Sequence, residues 1–169
     1  VALVLMDPAT CEEIEQLYVN DKYDLDNIWY SDAQKKLLGV SYTGHKGTAR
    51  HFFDKATGEM FGRMEKHLRG YAIGIAGSNK AEDKYIVYAG GDRTMGTYYF
   101  YDVEADTMTK LADLAPWIEE EQMAEMIPIN YTSRDGLEIE GYLTLPVGKT
   151  VHNAKNLPVV VNPLSLIHI

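Results

Sequence analysis

Residues 127–146 combine two runs of alternating apolar and polar positions with a short polar segment between them. The apolar side chains recur at nearly every second position of each run: Ile127, Ile129, Tyr131, Leu137, Ile139, Leu143 and Leu145. Between the runs lies Arg134-Asp135-Gly136, and an Asp-Gly pair tolerates the positive φ that a tight turn needs. Because strand side chains alternate with a period of two, the sequence predicts a β-hairpin here.

A second pattern is an internal repeat in the first two thirds of the chain. Residues 36–54 (KLLGVSYTGHKGTARHFFD) align without a gap with residues 84–102 (KYIVYAGGDRTMGTYYFYD), at an offset of 48 positions. Residues 54–59, at the end of the first copy, resemble residues 7–12, and residues 102–106 occupy the third equivalent position. Repetition at this spacing is the sequence signature of a modular architecture.

Each repeat is interpreted as an inner strand, a Gly-rich turn, an aromatic strand that ends at an Asp, a second turn and an outer strand. A unit of about 40–50 residues with several short strands is typical of a β-propeller blade. Paired helices in solenoids have similar periods, but the run Tyr98-Tyr99-Phe100-Tyr101 favours strands. The closing Asp is expected to accept backbone N–H bonds in the next turn.

Residues 1–115 hold two of these units and the end of another, and the apolar start of the chain is predicted to be a strand. A propeller has at least four blades, since a smaller set leaves strand edges unpaired and one face uncovered. We therefore expect further blades to precede these residues in the complete protein. Residues 116–126, which include three consecutive glutamates, are predicted to form a short helical or extended linker.

The hairpin sequence also resembles peptidases of the prolyl oligopeptidase family, at the point where their β-propeller leads into an α/β-hydrolase domain. The matching positions are Pro128, Ile129, Tyr131, Ser133, Arg134, Asp135, Gly136, Gly141 and Tyr142. The resemblance implies a mainly β chain, with the last two to three propeller blades in residues 1–115. It also implies that residues 127–163 hold the first strands of the hydrolase domain. These strands are the hairpin and one further strand at 157–163.

The resemblance ends after residue 163. Family members often continue with His-Gly-Gly-Pro, whereas residues 164–169 read LSLIHI, similar to the translation of a common sequencing adapter. The alternative is a genuine apolar C-terminal strand. Neither interpretation gives a role to Ser165 or His168, and the resemblance implies a fragment of an enzyme that is truncated before its catalytic residues.

Composition narrows the classes of partner and site. The net charge of −9 argues against nucleic acid, whose binding depends on cationic side chains that neutralise phosphates. No apolar run reaches 18 residues, so no membrane span is predicted. Cys11 is the single cysteine and is expected to be buried, since free cysteines usually are. These features do not separate a cytoplasmic from a periplasmic or secreted location, and they leave the oligomeric state open.

Serine hydrolysis requires a nucleophile, a histidine base and an orienting carboxylate, and α/β-hydrolases carry the nucleophile in Gly-x-Ser-x-Gly. None of the five serines lies in this motif: Ser31, Ser41, Ser78, Ser133 and Ser165. No catalytic residue is therefore assigned. By the resemblance, Asn162 and Pro163 would come nearest to the active site of the complete enzyme, at the end of a strand.

No metal, cofactor or phosphate site is predicted. The histidines lack the matched spacing of metal ligands and are expected in exposed turns or strands: His45, His51, His67, His152 and His168. Residues 90–93 (GGDR) lack the Lys and Ser/Thr of a phosphate loop and are expected to be a hairpin turn. Glu138 and Glu140 are expected on the polar face of the hairpin.

The remaining conspicuous side chains are interpreted as structural. The aromatic run at 98–101 has no basic neighbours of the kind a nucleic-acid platform needs, so it is expected to pack between repeat units. Methionines adapt to irregular gaps, and four are expected to fill gaps or lie on helix faces: Met60, Met64, Met123 and Met126.

For the complete protein, the resemblance implies a serine peptidase that hydrolyses peptide bonds in short peptides through an acyl-enzyme. Its propeller would limit access to small or unfolded substrates. The chain by itself is expected to be inactive. Two alternatives stay open: a non-enzymatic β-propeller that binds protein partners, and an esterase-type acyl hydrolase that shares the same machinery.

Overall fold

A computed structural model describes residues 2–163 of the chain. The fold is mainly β, as the alternating patterns predict, and the described residues form four antiparallel sheets and one α-helix. None of the four sheets closes into a barrel. Within the described part of the chain, no helix is long and apolar enough to cross a membrane.

The first sheet is a two-stranded ribbon of β1 (Ala2–Met6) and β2 (Glu13–Val19). The predicted strand at the start of the chain is thereby confirmed. Asp7 follows β1, and its carboxylate accepts hydrogen bonds from the backbone N–H groups of Ala9 at 2.7 Å and Thr10 at 3.3 Å. The ribbon leaves much apolar surface exposed, including Ile14.

The second sheet contains the first copy of the repeat. It consists of β3 (Leu25–Ser31), β4 (Lys36–Gly44) and β5 (Gly47–Phe52), in that order. The third sheet contains the second copy, with β6 (Ala72–Ser78), β7 (Lys84–Gly91), β8 (Thr94–Asp102) and β9 (Thr107–Asp113) in chain order. The two aligned segments therefore form hairpins at equivalent positions of the repeat, β4–β5 and β7–β8, with pairing registers that differ by one residue.

An ion pair closes each of these hairpins at the same position of the repeat. Lys36 Nζ lies 2.5 Å from Asp54 Oδ1, and Lys84 Nζ lies 2.6 Å from Asp102 Oδ2. Both carboxylates also accept backbone N–H bonds from the following residues, which confirms the prediction for the closing Asp. These contacts, the lysine first, lower the pKa of Asp54 to about 2 and lower that of Asp102.

The outer strand predicted after the first copy is wrong. The chain forms a helix there, α1 (Lys55–His67), whose N-terminus is capped by Asp54 through the Thr57 N–H at 2.8 Å. Met60, Phe61 and Met64 lie on one buried face of this helix, at the spacing that places side chains on one face. Burial of that face therefore determines the local structure, despite glycines at positions 58 and 62.

The core lies between the second and third sheets. Its buried members come from α1, the α1–β6 loop, β6, β7 and β8: Met60, Phe61, Met64, Leu68, Ile73, Val87, Ala89 and Tyr101. Trp29 and Phe52 of the second sheet pack against this cluster. Tyr99 and Tyr101 of the aromatic run thus pack between repeat units as predicted, whereas Tyr98 and Phe100 are not part of this cluster. Met60 and Met64 fill the core as predicted, but Met123 and Met126 are exposed.

A linker leads from β9 to the last sheet and includes one 3-10 turn, Glu120–Gln122. The sheet is a hairpin of β10 (Met126–Thr132) and β11 (Glu138–Thr144). The register pairs Ile127 with Leu143 and Tyr131 with Ile139, so the predicted alternation and turn are confirmed. Gly136 has a φ of +89° in that turn.

The strand predicted at 157–163 is wrong. These residues have no strand pairing in the described part of the chain. Val159, Val160 and Val161 are 81%, 92% and 81% exposed. A run of valines has high strand propensity, but a strand forms only where a neighbouring strand offers its N–H and C=O groups.

Candidate functional site

The β10–β11 hairpin rests on loops that connect strands of the second and third sheets. It contacts the β2–β3 loop through Lys22 and Tyr23, the β4–β5 turn through His45, and the β7–β8 turn through Asp92. We call this set of contacts the hairpin junction. It joins the segment that carries the family resemblance to the repeat units, and it is therefore the site where their relative position is fixed.

His45 is the centre of the hairpin junction. Its Nε2 lies 3.2 Å from the carbonyl oxygen of Gly141, and its own carbonyl accepts a hydrogen bond from the Tyr142 hydroxyl at 2.9 Å. Because a carbonyl only accepts, Nε2 must carry the proton in this contact. The imidazole also packs edge-on against the Tyr142 ring, with the ring centres 5.8 Å apart.

A charged contact lies beside this histidine. Glu140 accepts hydrogen bonds from Lys22 Nζ and, at 3.3 Å, from the Tyr23 hydroxyl. The Tyr23 oxygen in turn accepts a bond from the His45 backbone N–H at 3.3 Å. The bond from Lys22 is the main cause of the lowered pKa of Glu140, and the same bond raises the pKa of Lys22.

The third contact fixes the start of the hairpin. The Asp92 carboxylate accepts a hydrogen bond of 2.6 Å from the Met126 backbone N–H. The neighbouring Arg93 lies 4.0 Å from Glu125. The hairpin turn predicted at 90–93 is thus formed by Asp92 and Arg93, whereas Gly90 and Gly91 end strand β7. Asp92 and Arg93 also hold the end of the linker, a role that their sequence did not indicate.

Acidification is expected to weaken the contact between the hairpin and the β2–β3 loop. Since the pKa of Glu140 is below its ordinary value of 4.5, the carboxylate stabilises docking fully above that value. The contribution is lost as the pH falls through the lowered pKa. Amide NMR shifts of Gly141 and His45, followed from about pH 7 to about pH 3, measure the change.

The control for this titration is Glu140→Gln, which keeps the shape of the side chain but removes its charge. Near neutral pH this variant should show the amide shifts that the wild type reaches in acid, and it should lose the acid transition that Glu140 causes. A neutral-pH spectrum of Glu140→Gln that is identical to that of the wild type would contradict the role given to the carboxylate.

The serines do not assemble a catalytic site among residues 2–163. Ser31 donates to Glu82 at 2.5 Å, and Ser133 donates to Asp135, with the carbonyl of Leu137 also within reach of its hydroxyl at 3.2 Å. No hydrogen bond joins a serine to a histidine in this range. Ser165 lies outside the described residues, and the absence of an assigned nucleophile stays a prediction.

The described histidines are dispersed, and the described residues hold no group of three or more metal-ligating side chains. His51 packs between Tyr18 and Phe53, and His67 Nε2 lies 3.2 Å from Asp106. His152 is exposed as expected, whereas His45 is half-buried. His168 lies outside the described residues.

Three further expectations have mixed outcomes. The burial predicted for Cys11 is wrong: the thiol is exposed, in the β1–β2 turn, where the residue has a φ of +59°. Glu138 and Glu140 lie on the exposed face of β11 as predicted, although the bonds of Glu140 to Lys22 and Tyr23 were not foreseen. Asn162 and Pro163 are exposed and outside any strand, and no described contact gives them a role.

Sequence comparison relates the chain to a peptidase, at a distance. No family model matches the chain. The chain is similar to dipeptidyl aminopeptidase BIII from Pseudoxanthomonas mexicana, with 30% identity over 83 residues. The matched segment covers 49% of this chain and 12% of that protein. The chain thus spans a small part of the relative's length, and the similarity indicates a distant relationship to a peptidase.

Proposed function

We propose that the chain is part of a serine-type peptidase of the prolyl oligopeptidase family, which hydrolyses peptide bonds in short peptides. The similarity to a dipeptidyl aminopeptidase is the observation that carries this proposal. It agrees with the family pattern around the Ser133–Gly136 turn, and the hairpin fold of that segment is the one that the pattern requires.

The proposed architecture assigns residues 1–115 to the last blades of a β-propeller, 116–126 to a linker and 127–163 to the start of the hydrolase domain. Equivalent hairpins at β4–β5 and β7–β8, each closed by a Lys–Asp pair, support the repeat of blades. Helix α1 would take the place of an outer strand in one blade. The hairpin junction would then join the two domains.

In the proposed reaction, a serine hydroxyl attacks the peptide carbonyl while a histidine takes its proton. The histidine then gives that proton to the amine, which leaves as the C–N bond breaks and an acyl-enzyme forms. Water then hydrolyses the ester. The 169 residues contain no Gly-x-Ser-x-Gly, so other parts of the complete protein would supply the nucleophile. The residues of this chain would position that domain: His45, Lys22, Tyr23 and Asp92 hold the hairpin from which it starts.

The isolated chain is expected to show no turnover of a fluorogenic dipeptide amide or of an activated ester. Without a nucleophile activated by a base, only background hydrolysis remains. The measurement compares initial rates for the purified chain, buffer and a chain denatured beforehand. Turnover by the folded chain above both controls would contradict the assignment of the catalytic residues to other parts of the protein.

Sequencing the gene beyond codon 163 separates the peptidase from a non-enzymatic propeller. The peptidase proposal expects a His-Gly-Gly-Pro-like loop followed by a Gly-x-Ser-x-Gly elbow. A reading frame that lacks the elbow would favour a propeller that binds protein partners. If the elbow is present, rates of the complete protein on peptide and ester substrates decide between a peptidase and an esterase.

A further inference from the structure

A cleft beside the hairpin junction carries an excess of positive charge. It encloses about 420 Å³ between the β4–β5 turn, β5, the end of α1 and the α1–β6 loop. The charged side chains at its wall are Lys46, Arg50, Arg69 and Glu65. Three cations against one carboxylate are unusual in a chain with a net charge of −9. We call this feature the cationic cleft.

Arg50 is the fixed element of the cationic cleft. Its side chain is only 11% exposed, and its Nη2 donates to the carbonyl of Ile73. The guanidinium also lies over the Phe61 ring, 5.2 Å from its centre, and 3.4 Å from Glu65. These contacts hold the Arg50 guanidinium at the wall of the cationic cleft.

Lys46 and Arg69 are the available cations. Both are exposed, and neither has an ion pair or hydrogen-bond partner through its side chain among residues 2–163. By contrast, several other cations are paired with carboxylates: Lys22, Lys36, Lys84 and Lys110. Lys46 and Arg69 therefore add positive charge beside Arg50, whose partner is Glu65. Asp92 and Glu120 lie farther along, in a neighbouring pocket that Arg69 also lines.

The backbone places these groups next to the hairpin junction. Lys46 follows His45 in the β4–β5 turn, so one turn contacts the hairpin with one side chain and lines the cleft with the next. Arg69 precedes Gly70 in the α1–β6 loop, where Gly70 has a φ of +89°. Tyr71 completes the wall, and its hydroxyl is already bonded to Glu120.

We propose that the cationic cleft binds the carboxylate of a short peptide, with Lys46 and Arg69 as its ligands. A guanidinium donates two parallel N–H bonds to a carboxylate, and a lysine adds a mobile point charge. Three cations against the single Glu65 carboxylate leave an excess of two positive charges at the wall of the cleft, which favours an anionic ligand. The choice of a peptide as the source of the carboxylate rests on the proposed function. The charge and geometry of the cationic cleft are independent of that function.

Titration of the purified chain with tri-alanine, followed by NMR, tests the proposal. Tri-alanine with a free C-terminus is expected to shift the amide signals of Lys46 and Gly70, and the C-terminal amide to cause no saturable shift there. The double variant Lys46→Ala/Arg69→Ala should bind at least about tenfold more weakly, since it loses two charge-assisted hydrogen bonds. The single variant Arg69→Gln should weaken binding as well.

Lys80→Ala is the matched control, because Lys80 is exposed on the β6–β7 connection and does not line the cationic cleft. It removes one positive charge and should bind tri-alanine like the wild type. Equal binding of acid and amide, or an unchanged affinity of both cleft variants, would overturn the proposal. So would inorganic phosphate that displaces tri-alanine at equal concentration, since it would indicate a general anion site.

Because this assay measures binding and not turnover, it is independent of the proposed function. If the chain binds tri-alanine but the complete protein does not cleave peptides, the peptidase proposal is refuted and the proposal for the cationic cleft stands. If the complete protein cleaves peptides but the NMR signals show no carboxylate-dependent shift, the proposal for the cationic cleft is refuted and the peptidase proposal stands.

Discussion

Replacing Tyr101 with Ala is expected to lower the free energy of unfolding by about 3–5 kcal/mol, the usual cost of removing a buried aromatic ring. Tyr101 is fully buried in the core between the second and third sheets. Its ring packs in the cluster that includes Met64 and Val87. Truncation to Ala therefore opens a cavity in this core. The free energy of unfolding of a small domain is about 5–15 kcal/mol in total, so the substitution would remove a large part of the stability.

Urea unfolding, followed by Trp29 fluorescence, measures this loss. Trp29 packs against the core whereas Trp117 is exposed, so the signal reports on the region of the mutation. Tyr101→Phe is the matched control, because it keeps the ring but removes the hydroxyl that donates to Asp106 at 2.6 Å. We expect it to cost about 1 kcal/mol, as for one hydrogen bond.

The two variants also separate packing from the polar network. Burial is the main cause that raises the pKa of Tyr101 to about 12, with the Asp106 bond second. The same bond is the first cause of the lowered pKa of Asp106. Tyr101→Phe should therefore raise the pKa of Asp106, which a carboxyl NMR titration detects. Equal stabilities of the Ala and Phe variants would contradict a packing role for the ring.

The sequence predicts those elements whose signal is local. The alternation around Asp135-Gly136 predicts the β10–β11 hairpin, and the repeat predicts the equivalent hairpins β4–β5 and β7–β8. In each case side-chain period and turn chemistry lie within about 20 consecutive residues. The Asp that ends each unit has a local function too, since it binds the N–H groups of the next few residues.

Helix α1 was predictable in principle. Asp54 with Thr57 forms an N-cap, and Met60, Phe61 and Met64 have helical spacing. The resemblance of residues 54–59 to residues 7–12 favoured a turn and a strand instead, because Asp caps both β-turns and helices. The burial of the helix face against the third sheet decided between them.

The hairpin junction and the cationic cleft were not predictable from one sequence. His45 and Gly141 are 96 positions apart, and Lys22 and Glu140 are 118 apart. Neither Arg50 nor Arg69 lies in a motif. Their positions depend on how sheets pack, for which a single sequence carries no periodic signal. The exposed valines at 159–161 illustrate the opposite case. Their sequence predicts a strand, but no neighbouring strand among the described residues is there to pair with them.

Replacing Arg50 with Ala is expected to lower the free energy of unfolding by about 2–4 kcal/mol, the range for losing a largely buried network residue. The variant loses the bond to the Ile73 carbonyl and the stacking on Trp29 and Phe61. It also leaves a cavity between the second and third sheets. Urea unfolding monitored by circular dichroism measures the change.

Arg50→Met distinguishes the charge from the packing. Burial lowers the pKa of Arg50, which reflects the cost of the buried charge, and its Nε is buried without a hydrogen-bond partner. A buried charge can often be replaced by an apolar side chain of similar volume with little loss. We therefore expect Met to cost about 1 kcal/mol or less, far below Ala. If Met and Ala were equally destabilising, the bonds to Ile73 and Glu65, and not the stacking on the rings, would be what Arg50 contributes to stability.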